Sequence, residues 1–316
     1  MNKAIPISLL IFFSCLSLFV GVQSIPITHL FQFNDLESLV FWYTRVPRTV
    51  SLIIAGATSS VCGLIMQHLT QNKFVSPTTA GTMDSARLGM LVAMLFFPAG
   101  SILTRSFVAF IFAFLGTYLF LQLIKRIPNQ NKIMIPLVGV MFGNIIGSIV
   151  TFFAYQFQLI QNMTSWMQGN FATVTKGDYE LIYVSVPILL ICYFFAYRFT
   201  IVGMGEDMAT TIGLNYERTQ MLGLLLVAMA SSVTLVTIGS LPFLGVIVPN
   251  IVSRIYGDQL KNTLVITAIS GSLFLVICDI LSRVIKQPYE IPVSLIVGVI
   301  GSVIFIFLLV KGGKRA

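Results

Sequence analysis

The stretch EIPVSLIVGVIGSVIFIFLLV, positions 290–310, decides the fold of this chain. It begins with Glu290, and no other charged residue follows within it. A helix needs about 20 apolar residues to cross the hydrocarbon core of a bilayer, which is about 30 Å thick. The stretch therefore predicts a membrane-spanning helix.

Runs of the same kind recur along the whole sequence. They predict ten spanning helices, at about 4–22, 49–69, 78–97, 103–124, 133–155, 181–198, 219–238, 241–256, 262–282 and 290–310. With 56% hydrophobic residues, 9% charged residues and a mean hydropathy of +0.92, the chain is not an ordinary soluble protein. We expect an all-α, polytopic membrane protein in which residues 1–316 form one transmembrane domain.

The 19 lysines and arginines predict the topology of the chain. With the N-terminus inside, the cytoplasmic set is Lys3, Lys73, Lys125, Arg126, Lys132, Arg198, Arg218, Arg254, Lys261, Lys311, Lys314 and Arg315. The outside set is Arg45, Arg48, Arg105, Lys176, Arg283 and Lys286, and Arg87 falls within the third helix. This bias follows the positive-inside rule, so we expect both termini in the cytoplasm. The net charge of +8 then reflects topology rather than a nucleic-acid partner.

The first apolar run, 4–22, follows Lys3 and is similar to a signal peptide. Because it is longer than the usual apolar core of about 7–15 residues, we favour an uncleaved first helix. The cysteines share apolar surroundings and lack a CxxC spacing, so we expect small buried hydrophobic residues rather than disulfides or metal ligands. They are Cys15, Cys62, Cys192 and Cys278.

The sequence lacks the groups that a membrane enzyme would need. No G-x-x-x-x-G-K-[ST] sequence occurs, so any ATP must be bound and hydrolysed by a partner. His29 and His68 have no Cys, Asp or Glu at ligand spacing, so no metal site is expected. No Ser/His, HExxH or paired-Asp arrangement lies within the helices, so no catalytic residues are expected either.

Two pairs of opposite charges lie within a predicted helix or at its end. Asp84 and Arg87 are three residues apart, and Asp279 and Arg283 are four residues apart. These spacings put each pair on one helix face, where the two charges neutralise each other. We expect both pairs to form, and for Asp84 and Arg87 we favour a purely structural role.

Small residues repeat at intervals of four in two predicted helices. Gly139, Gly143 and Gly147 do so in the fifth helix, and Ser294 and Gly298 in the last. Such a repeat leaves bare backbone on one face, where another helix can approach closely. Helix packing is the plainest explanation of both repeats.

The segment GMGEDMATTIGLN, 203–215, separates the sixth and seventh predicted helices on the cytoplasmic side. It is too polar to span the membrane and contains a short helix-like piece. Glu206 and Asp207 favour a helix N-terminus there, because the helix dipole attracts negative charge. Ala209 and Gly213, four apart, leave a small-residue face. An ordinary amphipathic connector would show the same features.

Four ordered segments resemble the permease subunits of the iron-siderophore ABC importer family, the FecCD type, whose fold is shared with the cobalamin importer. They are RVPRTVSLIIAGATSSVCGLIMQ (45–67, continued by Asn72, Pro77 and Gly81), GEDMATTIGLN (205–215), GSLPFLGVIVPNIVSR (239–254) and DILSRVIKQPYEIPVSLIVGVIGSVIFIFLL (279–309). Departures from the family pattern are Lys73, Asn250, Ser294 and Ser302–Val303. The stretch QNKFVSPTTAGTMDSARLG (71–89) is similar to permeases for catecholate siderophores of the petrobactin and anguibactin kind.

The resemblance implies the fold of an ABC importer permease in a bacterial cytoplasmic membrane. Two permeases, copies or paralogues, would surround a central path. Two cytoplasmic ATPases would bind ATP and Mg, and an extracytoplasmic lipoprotein would deliver the ferric siderophore. This chain itself would hold no cofactor.

The same resemblance implies three groups of site residues. The element that couples to the ATPase would comprise Gly205, Glu206, Ala209, Gly213, Leu214 and Asn215. Arg45, Arg48 and Arg283 would dock the binding protein as exposed cations. Gly143, Asn144, Gly147, Ser294 and Gly298 would line the translocation path.

Other functions stay open at the level of the sequence. Weakly polar path residues do not define the cargo, so haem or cobalamin import by the same machinery is an alternative. An ion-driven secondary transporter would need unpaired acidic or histidine side chains at mid-membrane and broken helices. A membrane-embedded enzyme would need the catalytic groups that the sequence lacks.

Overall fold

The computed structural model describes residues 4–21, 35–127, 134–177 and 179–312. The helices in these ranges are α1 (Ala4–Phe19), α2 (Asp35–Val40), α3 (Val46–Leu69), α4 (Thr82–Phe96), α5 (Ile102–Lys125), α6 (Met134–Gln156), α7 (Ile160–Met167), α8 (Ser185–Val202), α9 (Glu206–Thr211), α10 (Tyr216–Ile238), α11 (Leu244–Tyr256), α12 (Leu260–Val284) and α13 (Val293–Gly312). A π-helical turn, Phe41–Arg45, joins α2 to α3, and a 3-10 turn, Glu180–Val184, leads into α8.

Each of the ten predicted spans coincides with one of these helices, with ends that differ by a few residues. Six helical segments of the described chain are long and apolar enough to cross a membrane: Asp35–Leu69, Ile102–Ile124, Met134–Gln156, Glu180–Val202, Tyr216–Ile238 and Leu260–Val284. Three shorter apolar helices are Ala4–Phe19, Leu244–Tyr256 and Val293–Leu308. The tenth, α4, has only 15 residues and carries a charged pair. The chain is an all-α, polytopic membrane protein.

α3 is the centre of the bundle, and α8, α10, α11 and α12 pack around it. Two glycines of α3 allow the closest of these contacts. A Cβ added at Gly56 would lie 2.6 Å from the carbonyl oxygen of Gly271 on α12, and one at Gly63 would overlap the backbone of Gly245 on α11. Lipid tails are as apolar as the side chains, so no hydrophobic force drives helices together in a bilayer. Small residues promote their association instead, because they allow close packing.

The small-residue repeat of α6 serves packing at two of its three positions. A Cβ at Gly139 would overlap the carbonyl oxygen of Thr79, and one at Gly143 would lie 2.5 Å from Oδ2 of Asp84. A Cβ at Gly147 would have no atom of the described chain within 4 Å. Gly139 and Gly143 therefore bring α6 against the start of α4, whereas Gly147 faces open space.

Two irregular segments meet beside the start of α13. The break between α10 and α11 begins at Gly239, where φ is 97°, and Ser240 forms an isolated bridge with Gln168. The amide of Ser294 donates to the carbonyl oxygen of Gly169 at 3.2 Å. The segment after α7 therefore contacts both the α10–α11 break and α13.

The outer face of the bundle is apolar, as a lipid-facing surface must be. Phe107 on α5, Phe152 on α6 and Phe194 on α8 are all more than 60% exposed. Among the cysteines, Cys62, Cys192 and Cys278 are buried as expected, but Cys15 on α1 is exposed. The expectation of burial is wrong for Cys15, because α1 lies at the edge of the bundle, where it packs mainly on α12.

Candidate translocation and coupling sites

The N-terminal end of α3 holds a buried network of charges. Arg48 is 8% exposed. Its Nε and Nη2 donate to Oδ1 of Asp279 on α12 at 3.0 and 2.8 Å, and its Nη1 donates to Oε2 of Glu290 at 2.7 Å. Arg48 thus joins α3 both to α12 and to the segment that precedes α13.

Two further arginines attach α1 to this network. Arg283, which is 2% exposed, donates through Nη2 to Oδ2 of Asp279 and to Oγ of Ser17, the latter at 2.5 Å. Its Nη1 donates to the carbonyl oxygen of Ser17 at 2.9 Å, and Nη1 of Arg45 donates to that of Val20. The last carbonyl groups of a helix lack partners within it, so these arginines satisfy the C-terminal end of α1.

The expectation that Arg45, Arg48 and Arg283 are exposed cations is therefore wrong. Arg48 is buried because Asp279 and Glu290, 231 and 242 residues later, reach it when α12 packs on α3. Arg45 and Arg283 are buried against the end of α1. The predicted pairing of Asp279 with Arg283 is confirmed, although Asp279 also accepts hydrogen bonds from Arg48. The role of the three arginines in docking stays a prediction.

The five predicted path residues lie on α6 and α13. Asn144 is exposed, Gly147 is half-buried and Gly143 is buried against Asp84. Ser294 and Gly298 are both half-buried on α13. Asn144, Gly147, Ser294 and Gly298 are thus accessible, whereas Gly143 acts through packing.

Two adjoining cavities lie between Gly147 on α6 and Ser294 on α13. A cavity of about 370 Å³ is lined by Ser294, Asp84 and Gln168, among others, and a second of about 180 Å³ is lined by Gly147 and neighbours on α6 and α7. Both cavities share Arg87, Thr164 and Met167. We call this surface the Arg87 groove, since Arg87 stands where the two cavities meet.

The charged pair of α4 lies in this groove. Nη1 of Arg87 donates to Oδ1 of Asp84 at 2.9 Å, which confirms the predicted pair. The side chains of Arg87 and Asp84 are 33% and 21% exposed. Nε of Arg87 contacts the sulfur of Met167. The sequence interpretation missed Arg87 as a lining residue, although an ionisable pair inside a predicted span was a visible signal.

The predicted coupling segment forms the short helix α9 between two glycines. Gly205 has a φ of 110°, and Gly213 has a φ of 83°. Beyond α9 the amide of Gly213 donates to the carbonyl oxygen of Thr210, and the amide of Leu214 donates to that of Ala209, both at 2.9 Å. This is a Schellman motif, whose left-handed position favours glycine. Gly213 is thus needed to end the helix.

Ala209 and Gly213, the predicted small-residue face, do not together form an outward-facing surface. Ala209 is 0% exposed and belongs to the core cluster that includes Leu69 and Phe199, so its small size lets α9 pack on its own bundle. Asn215 caps α10, since its side-chain oxygen accepts from the amide of Arg218 at 2.9 Å. An outward docking face that includes Ala209 is therefore wrong.

The outward surface of this segment is apolar at three positions spaced by four. Met204, Met208 and Ile212 are 62%, 45% and 55% exposed. We call these three residues the coupling face. Glu206 is also exposed, at the start of α9. The sequence interpretation weighed the small residues and missed this pattern, which the spacing alone could have shown.

We call the end of the bundle that holds Arg45, Arg48 and Arg283 the arginine end. The arginine end and α9 lie near opposite ends of α3. Near the C-terminal end of α3, a Cβ at Gly203 would lie 2.8 Å from the ring of His68, and His68 lies 3.1 Å from the carbonyl oxygen of Asp258. Since α3 has 24 residues, the two ends are about 35 Å apart, which is enough to place them on opposite sides of a bilayer.

Some predictions concern residues that the structure does not describe. Lys3, His29, Lys132, Lys314 and Arg315 lie outside the described ranges, as do the side chains of Lys125 and Lys311. Within the described residues, no three His, Cys, Asp or Glu side chains come together so that they could hold a metal ion.

Known proteins match this chain over nearly its whole length. A model of the FecCD transport family matches residues 9–311. The chain is 49% identical over 303 residues to a petrobactin import system permease protein of Bacillus subtilis, covering 96% of each chain. It is 41% identical to a ferric-anguibactin transport system permease protein of Vibrio anguillarum, covering 94% of this chain and 95% of that one.

A solved structure has the same fold. It is an inward-facing conformation of a metal-chelate type ABC transporter, with a TM-score of 0.83 and 20% identity over 98% of both chains. At that identity the likeness concerns the arrangement of helices alone. It shows that the helices described above form an ABC importer permease fold.

Proposed function

Because this chain belongs to the FecCD transport family of ABC importer permeases, we propose that it moves ferric siderophores across the cytoplasmic membrane of a bacterium. The proposed substrate class rests on the identity of this chain, 49% and 41% over nearly its full length, to permeases named for petrobactin and ferric-anguibactin. Both the motif resemblance and these relatives favour chelates of the catecholate kind.

The proposed machinery places the energy source in separate subunits. The sequence contains no P-loop, so two cytoplasmic ATPases would bind ATP and Mg. A second permease, copy or paralogue, would complete the path, and a lipoprotein would deliver the chelate. The chain would form one transmembrane domain, residues 1–316, with both termini in the cytoplasm.

α9 would seat in the ATPase and transmit its motion. Met204, Met208 and Ile212 present exposed apolar side chains of the kind that a partner buries, while Ala209 holds α9 to the bundle. Such a rigid attachment lets a displaced α9 pull on α8 and α10, which flank it, and so alternate the access of the path. Gly205 and Gly213 set the ends of α9, and Leu214 and Asn215 lead from it into α10.

The arginine end would face the binding protein. The resemblance to family permeases places Arg45, Arg48 and Arg283 at the surface that receives it. An acidic surface on the binding protein would complement the positive potential of these arginines and speed its encounter with the permease.

Uptake by intact cells tests the proposal. In a strain that lacks this permease, restoring the chain should restore uptake of iron from ferric petrobactin but not of haem or cobalamin. Uptake of only haem or cobalamin would replace the proposed cargo. Transport that persists after the partner ATPase is inactivated would instead indicate a secondary carrier.

A further inference from the structure

Arg87 lies at the surface of a cavity, with its side chain 33% exposed. It lies where the two cavities of the Arg87 groove meet, between Gly147 of α6 and Ser294 of α13. These are two of the residues expected to line the path. A guanidinium group at this place is within reach of any cargo that passes between α6 and α13.

The guanidinium of Arg87 retains donors that the protein does not use. Arginine has five N–H donors in a planar fork. Nη1 donates to Asp84 at 2.9 Å, and Nε contacts Met167. Within the part of the chain that the structure describes, Nη2 has no hydrogen-bond partner, and the side chain is 33% exposed to the groove. An ionisable group within a membrane bundle is costly and marks a pathway more often than a packing contact.

The groove also offers neutral polar groups around this cation. Thr78, Gln168, Ser240 and Ser294 line the same cavity as Arg87. Hydroxyl and amide groups of this kind can donate hydrogen bonds to oxygen atoms without adding charge. Together they form a surface with one strong cationic site and several weak donors.

We propose that Arg87 contacts the anionic oxygens of the ferric siderophore in transit and so determines selectivity for net-anionic chelates. This inference rests on the proposed function. Deprotonated catecholate and carboxylate oxygens carry more negative charge than a ferric ion neutralises, and a planar guanidinium binds pairs of such oxygens.

Asp84 keeps this contact weak enough for transport. Its carboxylate competes with the cargo for Arg87, and Gly143 leaves the space that this carboxylate occupies, since a Cβ there would lie 2.5 Å from Oδ2. A cargo site along a path must bind loosely enough to release. When the chelate leaves, Arg87 returns to Asp84.

The test compares single and paired variants in the complete importer. Arg87→Gln should lower the uptake of ferric petrobactin at subsaturating concentration by about tenfold or more, the size expected for one lost hydrogen bond to a charged group. Arg198→Gln, on the exposed face of α8, removes the same charge away from the groove and should change uptake by less than about twofold.

The double variant Asp84→Asn with Arg87→Gln separates transport from folding. It removes the unpaired carboxylate that the single variant leaves behind, so the amount of importer in the membrane should recover. Under the proposal uptake per importer stays as low as in Arg87→Gln. Recovery of uptake in the double variant, or normal uptake by Arg87→Gln, would overturn the inference and leave the proposed function standing. Failure of the wild-type importer to take up the chelate would overturn both.

Discussion

Asp279 accepts hydrogen bonds from both Arg48 and Arg283 and is 0% exposed. Oε2 of Glu290 accepts a further bond from Arg48. Removing one partner from a buried ionic network leaves the remaining charges buried without an opposite charge. The resulting loss of stability is larger than the stability that the intact pair contributes. The stability of the arginine end therefore depends on this one carboxylate.

We expect Asp279→Asn to lower the free energy of unfolding by about 3–5 kcal/mol, because it leaves Arg283 and Arg48 buried beside a neutral amide. Unfolding of the purified protein in one detergent would measure it. Asp258→Asn is the matched control. Asp258 pairs with Lys73 at 2.9 Å with both side chains more than half exposed, so its loss should cost at most about 1 kcal/mol. Equal losses in the two variants would contradict the network's role.

At the scale of elements, one face of α9 packs against the helix bundle and the opposite face is exposed. Ala209 packs in the core, and the coupling face of Met204, Met208 and Ile212 stays open. A short helix held in this way has little freedom to move alone. Force applied to it passes to α8 and α10.

We expect Met208→Asp to reduce the amount of ATPase that copurifies with the permease by about tenfold, because burying a new charge in an apolar contact is costly. Met208→Leu keeps the apolar surface and should retain the ATPase. The level of permease in the membrane should be equal in both, since Met208 is exposed in the isolated chain. Full retention of the ATPase by Met208→Asp would contradict docking through this face.

The helices could be predicted from the sequence much better than the site. Apolar runs of bilayer length are local properties, so all ten spans coincide with helices. α7 escaped prediction because it is short and polar. The burial of Arg48 could not be predicted, since its partner Asp279 is 231 residues away along the chain. The inward direction of Ala209 likewise depends on how α9 packs rather than on its spacing.

At the scale of the whole molecule, α3 separates the two regions for which we propose docking roles. The arginine end and α9 are separated by its 24 residues, about 35 Å. We propose that the α9 side faces the cytoplasm, because the predicted topology places the excess of lysine and arginine there. The arginine end would then face the outside.

Labelling in whole cells tests this orientation. In a variant without its natural cysteines, Lys176→Cys should react with a membrane-impermeant thiol reagent, and Asp207→Cys should react only after the membrane is opened. Both positions are exposed in the structure, so a difference in labelling reports the side of the membrane. Labelling of Asp207→Cys in intact cells would reverse the topology and remove the coupling role of α9.

The distant partners of Arg48 also bear on how the protein is made. A ribosome that delivers the chain from its N-terminus releases Arg48 long before Asp279 and Glu290, which lie 231 and 242 residues later. Until then, the long side chain of Arg48 can reach the lipid headgroups from the end of α3. We therefore expect the buried charge network to assemble only after α12 and the segment before α13 have been made, and chains truncated before them to leave Arg48 without its carboxylate partners.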